Sequence, residues 1–387
     1  MARSLRLTVA LAVAVWSVTS LSVQACTIFV LTSTNQVLFC NNEDWSNPKT
    51  RIWFVPAGPK HYSAVYVGYD DGFVQGGMNS KGLALDWVNY GPNSAVWTPD
   101  PSLPPVLSSD QVLESCATVD EAITFYRGHR EGGFSECRLL AADRTGASVI
   151  LRAKDGKLLA EKSIRGQGIG YGALMLPKML ADSAEPALAN GAKMLLACRQ
   201  WGQYGTKYSY IADLNSGDFY LFPFPGRDDR IQFNLAAELK KGGHYYDMPE
   251  IDEQLAQPAR PLLANMKRVR LEDFKPIPDQ EPKVTAEVRA MFEGLRDDSL
   301  HSDDFTPEAW KSVTSDLKEK QALLKSFGPL VSLNLVDRAD VDGKRSYRYV
   351  FEFEKGSVLQ RFVFDERNKL AQSETEDFVF PQTPASL

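Results

Sequence analysis

The stretch that most restricts the fold is "CTIFVLTSTNQVLFCNNED", residues 26–44. Two β-rich runs flank Ser-Thr-Asn-Gln, a cluster of turn formers, so the segment reads as an antiparallel hairpin. A two-residue turn at Thr34 and Asn35 then pairs Cys26 with Glu43, next to Asp44. Directly opposed residues in such a pair lie about 5 Å apart. Local pattern alone therefore carries a cysteine at one end of the hairpin to Asn-Asn-Glu-Asp at the other.

What precedes Cys26 changes its chemistry. Arg3 and Arg6 open the chain with positive charge, and "LTVALAVAVW" is an apolar run too short to span a bilayer comfortably. Val23 and Ala25 are small residues at the positions a signal peptidase reads. Residues 1–25 are thus expected to be a cleavable leader, and the protein to be exported to a bacterial periplasm or secreted. A cut after Ala25 makes Cys26 the first residue. An α-amine has an intrinsic pKa of about 8 and can take the proton of its own thiol near neutral pH. The resulting thiolate is a nucleophile that needs no histidine. The rival expectation is a lipidated Cys26, which would block the amine and tether a non-catalytic binding module to a membrane. Gln24 suits a lipidation signal poorly, and a strand rather than a polar tether follows Cys26.

The rest of the composition excludes more than it identifies. A chain of 387 residues with 44% hydrophobic content can bury a sizeable core. Its net charge of -6 gives no reason to expect nucleic acid or an anionic membrane as partner. No stretch after the leader is long and apolar enough for stable membrane insertion. A homo-oligomer is compatible with this composition. Cys26, Cys40, Cys116, Cys137 and Cys198 show no CxxC spacing, and the four histidines are scattered, so neither a metal site nor a cofactor is expected. A Cys–His hydrolase is a distant alternative.

Further strands are expected at "RIWFVPA", "SAVYVGY", "GLALDWVNY", the meander "CRLLAADRTGASVILRAKDGKLLAEK" and the hairpin "KYSYIADLNSGDFYLFPF". "TVDEAITFYRGH" reads as a helix capped by Thr118 with Glu121 completing a capping box. "ALANGAKMLLACRQW" is also helical in pattern. Proline-rich, polar sequence marks residues 261–284 as a linker. It divides a unit at 26–260 from a small α+β unit at 285–387, in which "VTAEVRAMFEGL" and "TPEAWKSVTSDLKEKQALLKSF" read as helices and four strands follow.

"CTIF" with "LFCNNEDW", followed by "QGGMNSKGLALDWVNY", resembles the linear amide C–N hydrolase family of N-terminal nucleophile hydrolases, which includes penicillin V acylases and choloylglycine hydrolases. The resemblance extends over about residues 26–255. It implies an α+β fold, an αββα sandwich, and cleavage of a linear amide in a small molecule through an acyl-enzyme, or acyl transfer on the same fold. It implies Cys26 as nucleophile, Asp44 as the carboxylate contacting its amine and thiol, and Asn89 as the oxyanion or substrate-contacting asparagine. Asn41, Asn42, Trp45 and Trp87 are candidate substrate contacts. Asn79 is read as a turn residue. The chain departs from the bile-salt and penicillin branches in carrying Asn41 where they have arginine, and it lacks their second asparagine and later arginine. Neither bile salts nor penicillin V is therefore the expected substrate.

Overall fold

The computed structural model describes residues 26–92, 94–172, 175–182, 187–223 and 229–379; the leader expected at 1–25 lies outside them. The opening hairpin forms β1 (Thr27–Thr32) and β2 (Val37–Asp44). Thr27 pairs with Asn42 and Thr32 with Val37, the register expected from the Thr34-Asn35 turn. One step beyond β1, that register sets Cys26 opposite Glu43.

Strands β3 (Thr50–Val55), β4 (Ala64–Tyr69), β5 (Val74–Asn79) and β6 (Leu83–Asn89) follow as a meander. Asn79 closes the turn into β6. Its Oδ1 accepts from the N–H groups of Lys81 and Leu83, and its Nδ2 donates to the carbonyls of Leu113 and Cys116. The latter two carbonyls lie at the end of α1 (Asp110–Ser115), so a single amide fixes both turn and helix. Helix α2 (Val119–Gly128) starts at Thr118, whose hydroxyl accepts from Glu121 N–H. The Glu121 carboxylate reaches back one residue beyond the cap, to Ala117 N–H at 2.5 Å. The chain continues through β7 (Cys137–Asp143), β8 (Ser148–Lys154), β9 (Lys157–Ser163) and β10 (Gly168–Gly170). Helices α3 (Leu176–Asp182) and α4 (Leu188–Ala197) lead to β11 (Thr206–Asp213), β12 (Asp218–Pro223) and β13 (Ile231–Asn234). Short α5 (Leu235–Glu238), β14 (His244–Asp247), α6 (Ile251–Leu255) and β15 (Arg260–Pro261) complete this part.

Among the described residues these strands form two antiparallel sheets, ordered β10-β1-β2-β11-β12-β13 and β15-β14-β3-β4-β5-β6-β7-β8-β9. Strand alternation gives each sheet two buried faces. Ile28, Val30 and Phe39 of the smaller sheet meet Val65, Met78, Ala84 and Leu140 of the larger in an inner layer. The outer face of the larger sheet presents Trp53, Tyr66, Leu85 and Leu139 to α1 and α2. The outer face of the smaller presents Phe29, Leu38 and Ile211 to α3 and α4. Full burial of each such Phe, Leu or Ile stabilises the fold by about 2 kcal/mol relative to exposure. The result is the expected αββα sandwich.

The C-terminal unit packs helices α7 (Pro282–Asp297), α8 (Pro307–Ser315) and α9 (Leu317–Phe327) on a meander of β16 (Leu330–Val341), β17 (Lys344–Phe353), β18 (Gly356–Phe364) and β19 (Leu370–Val379). Sequence pattern suggested one helix over residues 306–327, but α8 and α9 are separate. The break falls at Ser315-Asp316, where Ser315 Oγ donates to Ser312 O and to the Asp316 carboxylate. Short polar side chains that bond locally compete with the helix ladder. Val269, Leu271 and Phe274, between the two units, pack on Val336, Val350 and Leu359.

Candidate active site

Cys26 sits at the entrance to β1 with a left-handed backbone, φ +63°. An L-residue in that region is held there by its surroundings. Its carbonyl accepts from Tyr171 N–H at 2.9 Å, and a Cβ on Gly170 would lie 2.3 Å from that carbonyl oxygen. Gly170, itself at φ +104°, is the residue type this approach requires. The thiol is 5% exposed and points into the inner layer, with Sγ 3.9 Å from the main-chain oxygen of Asp44. Burial, then the charges of Glu43 and Asp44, hold it well above the ordinary thiol range. As long as its nitrogen is a peptide nitrogen, Cys26 is therefore a neutral thiol.

Asp44 ends the opposite arm. Its carboxylate accepts from Gln200 Nε2 at 2.6 Å and Thr206 Oγ1 at 2.5 Å. Burial raises its pKa to about 6, against the pull of Thr206, Gln200 and the main-chain N–H of Cys26. That last group is the one that matters chemically. The main-chain N–H of Cys26 favours the charged Asp44 carboxylate, and the Cys26 sulfur lies 3.9 Å from the Asp44 carbonyl oxygen.

Behind the thiol lies a buried polar network. Asn41 Nδ2 donates to Asp86 Oδ2 at 2.8 Å and reaches Glu43 Oε2 at 3.5 Å. Tyr210 OH donates to Asp86 at 2.8 Å, and Tyr69 OH to Glu43 at 3.0 Å. Trp87 N–H donates to the other Asp86 oxygen at 2.7 Å. Burial pushes both Glu43 and Asp86 upward, and for Glu43 the Asp86 charge adds to this. The strongest influences on Glu43, Asp86 and the Cys26 thiol are burial, neighbouring carboxylates and hydrogen bonds. Among the described residues, no group of three or more His, Cys, Asp or Glu side chains is arranged to hold a metal ion. All five cysteines are unbridged.

The structure brings Cys26, Asn41 and Asp44 together but separates the other candidates. Asn42 alternates to the outer face of the sheet, where Nδ2 donates to Leu195 O and Oδ1 accepts from Ser209 Oγ. Its amide is already committed. Trp45 follows Asp44 and is 46% exposed. Trp87 lies on the helix-facing side of β6, its indole N–H donating to Ser109 Oγ and its ring packed on Phe134. Alternation puts Asn89 on that same side, away from the inner layer. Its Oδ1 accepts from Gly91 N–H at 2.6 Å, a turn contact. Asp86 and Val88 of β6 face the inner layer, and so does Tyr90 just past the strand, whose hydroxyl accepts from Gly170 N–H at 3.2 Å. Asn89 and Trp87 thus face the helical layer, whereas Asp86 of the same strand faces the inner layer.

Sequence reasoning also passed over Glu43, Asp86, Gln200 and Thr206. Asp86, a lone carboxylate inside the apolar run "LALDWV", carried a usable signal. Gln200 and Thr206 carried none, being 156 and 162 positions from the carboxylate they hold.

Comparison with solved structures finds penicillin V acylase from Agrobacterium tumefaciens, at 16% identity and TM-score 0.42 over 62% of this chain and 99% of that one. It also finds a mutant of conjugated bile acid hydrolase from Clostridium perfringens, at 14% identity and TM-score 0.47 over 57% and 95%. A second variant of the same hydrolase matches at 14% identity and TM-score 0.47 over 62% and 99%. No family model matches the sequence. No curated protein matches it either.

Proposed function

We propose that this chain is an exported amidohydrolase that cleaves a linear amide of a small molecule, with Cys26 as an N-terminal nucleophile. The observation that carries this reading is the β1–β2 register, which sets Cys26 against Glu43 and Asp44 with Sγ 3.9 Å from the Asp44 carbonyl oxygen. With a peptide nitrogen the thiol is neutral and inert. Removal of residues 1–25 would turn that nitrogen into an amine beside the Asp44 carboxylate. As an ammonium it offsets the charges of Glu43 and Asp44 and lowers the thiol; as a free amine it accepts the thiol proton. Sulfur then adds to the amide carbonyl, and the protonated amine gives its proton to the departing nitrogen. Water, deprotonated by the same amine, releases the acyl group from sulfur. Asp44, fixed by Gln200 and Thr206, orients the amine through both steps. The Tyr90 hydroxyl, which accepts from Gly170 N–H, keeps its own proton free for the developing oxyanion.

The test is intact mass and N-terminal sequencing of the protein recovered from the periplasm or medium, followed by turnover of a panel of N-acyl amides. A chain that begins at unmodified Cys26 and loses turnover on Cys26→Ala supports the reading. A diacylglyceryl-modified Cys26, a retained leader, or turnover that survives Cys26→Ala overturns it. Product formation only when an added amine accepts the acyl group would identify a transferase instead.

A further inference from the structure

The Cys26 chemistry uses what four neighbouring strand ends hold between them and leaves unused what they show to solvent. In the order β10-β1-β2-β11, β10 ends at Gly170, Cys26 leads into β1, β2 ends at Asp44 and β11 begins at Thr206. Antiparallel pairing sets all four at one end of the smaller sheet, about 15 Å across at the usual strand spacing. Each end runs into exposed apolar side chains. Trp45 follows Asp44, and Tyr171, whose N–H is bonded to the Cys26 carbonyl, follows Gly170. Trp201 and Tyr204 stand between Gln200 and Thr206, the two residues that hold the Asp44 carboxylate. Leu196 lies in the last turn of α4, which leads into that loop, and Met175 N–H is bonded to Gly172 O.

These six side chains are all exposed, Trp201 at 74% and Tyr204 at 58%. Among the described residues five aromatic side chains are exposed; four are in this group, and the fifth, Phe73, lies in the β4–β5 turn. The loop that carries two of them is closed at its base, where Gln200 N–H donates to Thr206 Oγ1 and Thr206 N–H to Gln200 O, both at 3.0 Å. Soluble surfaces rarely gather large apolar side chains unless something covers them. From Tyr171 to Lys207 the chain carries Lys178, Lys193, Arg199 and Lys207 against Asp182 and Glu185, a net positive stretch in a protein of net charge -6. The Arg199 guanidinium lies 5.0 Å from the Trp201 ring centroid.

We propose that this end of the sandwich docks on an anionic phospholipid surface and takes from it an amide with a long acyl chain. The choice of substrate rests on the amidohydrolase reading; the docking does not. Trp and Tyr rings, apolar in body and polar at one edge, settle at the level of lipid headgroups. Lys and Arg beside them attract the phosphates. The negative charge of the whole chain does not oppose this, because ionic screening confines the attraction to charges near the surface. A second copy of the chain is a poorer occupant, since a two-fold contact would bring the same positive stretch face to face. Among the described residues no helix is long and apolar enough to cross a membrane, so the contact is one of side chains at headgroup depth.

Sedimentation of the exported protein with vesicles tests this, using phosphatidylethanolamine with phosphatidylglycerol and, as the net-neutral control, phosphatidylcholine alone. Anionic vesicles are expected to bind it about tenfold or more tightly than neutral ones. Trp201→Ser combined with Tyr204→Ser should weaken that binding about tenfold or more. Val331→Ser, which changes an exposed apolar residue of the C-terminal unit, and Cys26→Ala should leave it unchanged. The double variant should keep its turnover of a short-chain soluble amide and lose that of a long-chain amide carried in the vesicles. Failure to sediment with anionic vesicles, equal binding to phosphatidylcholine, or binding that survives the double variant overturns the proposal. So does a dimer, seen by sedimentation velocity, that the double variant dissociates, because a second copy then covers this end. Vesicle binding that is lost in the double variant, with no amide hydrolysed by the wild type, would keep the docking and remove the amidohydrolase reading. Hydrolysis of the soluble amide without vesicle binding would do the reverse.

Discussion

The inner layer of the sandwich and the core of the C-terminal unit are both made by strands turning apolar side chains inward, yet they bury different things. In the C-terminal core, Phe292, Phe327, Phe351, Phe353 and Phe364 pack with Tyr347 and Tyr349, and the charges at its edge, Arg338 over the Tyr347 ring and Glu281, are paired with each other and part-exposed. The inner layer near Cys26 buries Asn41, Glu43 and Asp86 at 0%, 3% and 0% exposure. Burying a carboxylate without a cation costs several kcal/mol, which hydrogen bonds recover only in part. Apolar residues of similar volume would make a more stable layer there. The polar cluster is therefore held in place by the sandwich rather than contributing to its stability. That is the distribution expected of a reaction site and a packing unit.

Cys26→Ala should lower amide turnover by about a thousandfold or more while leaving the unfolding midpoint within a degree or two, measured by product release and calorimetry. A parallel loss of stability would make Cys26 a packing residue like those of the C-terminal core. The converse variant is Phe351→Ala, expected to destabilise the C-terminal unit by about 3–5 kcal/mol in denaturant unfolding, with kcat unchanged. Asp86→Asn should change stability by about 1 kcal/mol or less, since its neighbours remain able to bond an amide, while turnover falls at least about tenfold. If it unfolds the protein with no separate kinetic effect, the network is structural.

Titration sharpens the contrast further. The pKa of Asp44 is raised in the fold from 3.8 to about 6. The native state thus binds this proton more tightly, so its contribution to stability is full below about pH 4 and is lost as pH rises through about 6. Urea midpoints of the unprocessed chain should fall across that window, and Asp44→Asn should flatten the fall. The smallest effect expected is that of Thr206→Val. Thr206 lowers the Asp44 pKa, so its loss should move the acid limb of the kcat/KM profile upward with little change in the plateau.

What could be read from the sequence follows from how far apart the determinants lie. The β1–β2 register was legible because a tight turn leaves an antiparallel pair only one alignment, and that alignment delivers Cys26 to Asp44. The Thr118 cap was legible because its partner is three residues away. The orientation of β6 was not, since a strand buried on both faces shows no apolar alternation to read. Gln200 and Thr206 were beyond reach because only the tertiary fold brings β11 and its preceding loop to the end of β2. The split between α8 and α9 was hidden by an apolar period that runs on through Ser315 and Asp316.

β1 is bonded on both flanks, to β10 through Thr27–Gly170 and to β2 through Thr27–Asn42. Chain ends ordinarily fray, and a group carried on one wanders over several ångströms. A terminus created at Cys26 would have no such slack, because its first peptide carbonyl and the strand behind it are clamped before any cut is made. Proteolysis there would cost the fold no cross-strand bond of β1 and set free a single nitrogen. Maturation would then resemble removing a safety catch more than assembling a mechanism: the surroundings would already be in place, and one nitrogen would exchange its acyl group for hydrogen.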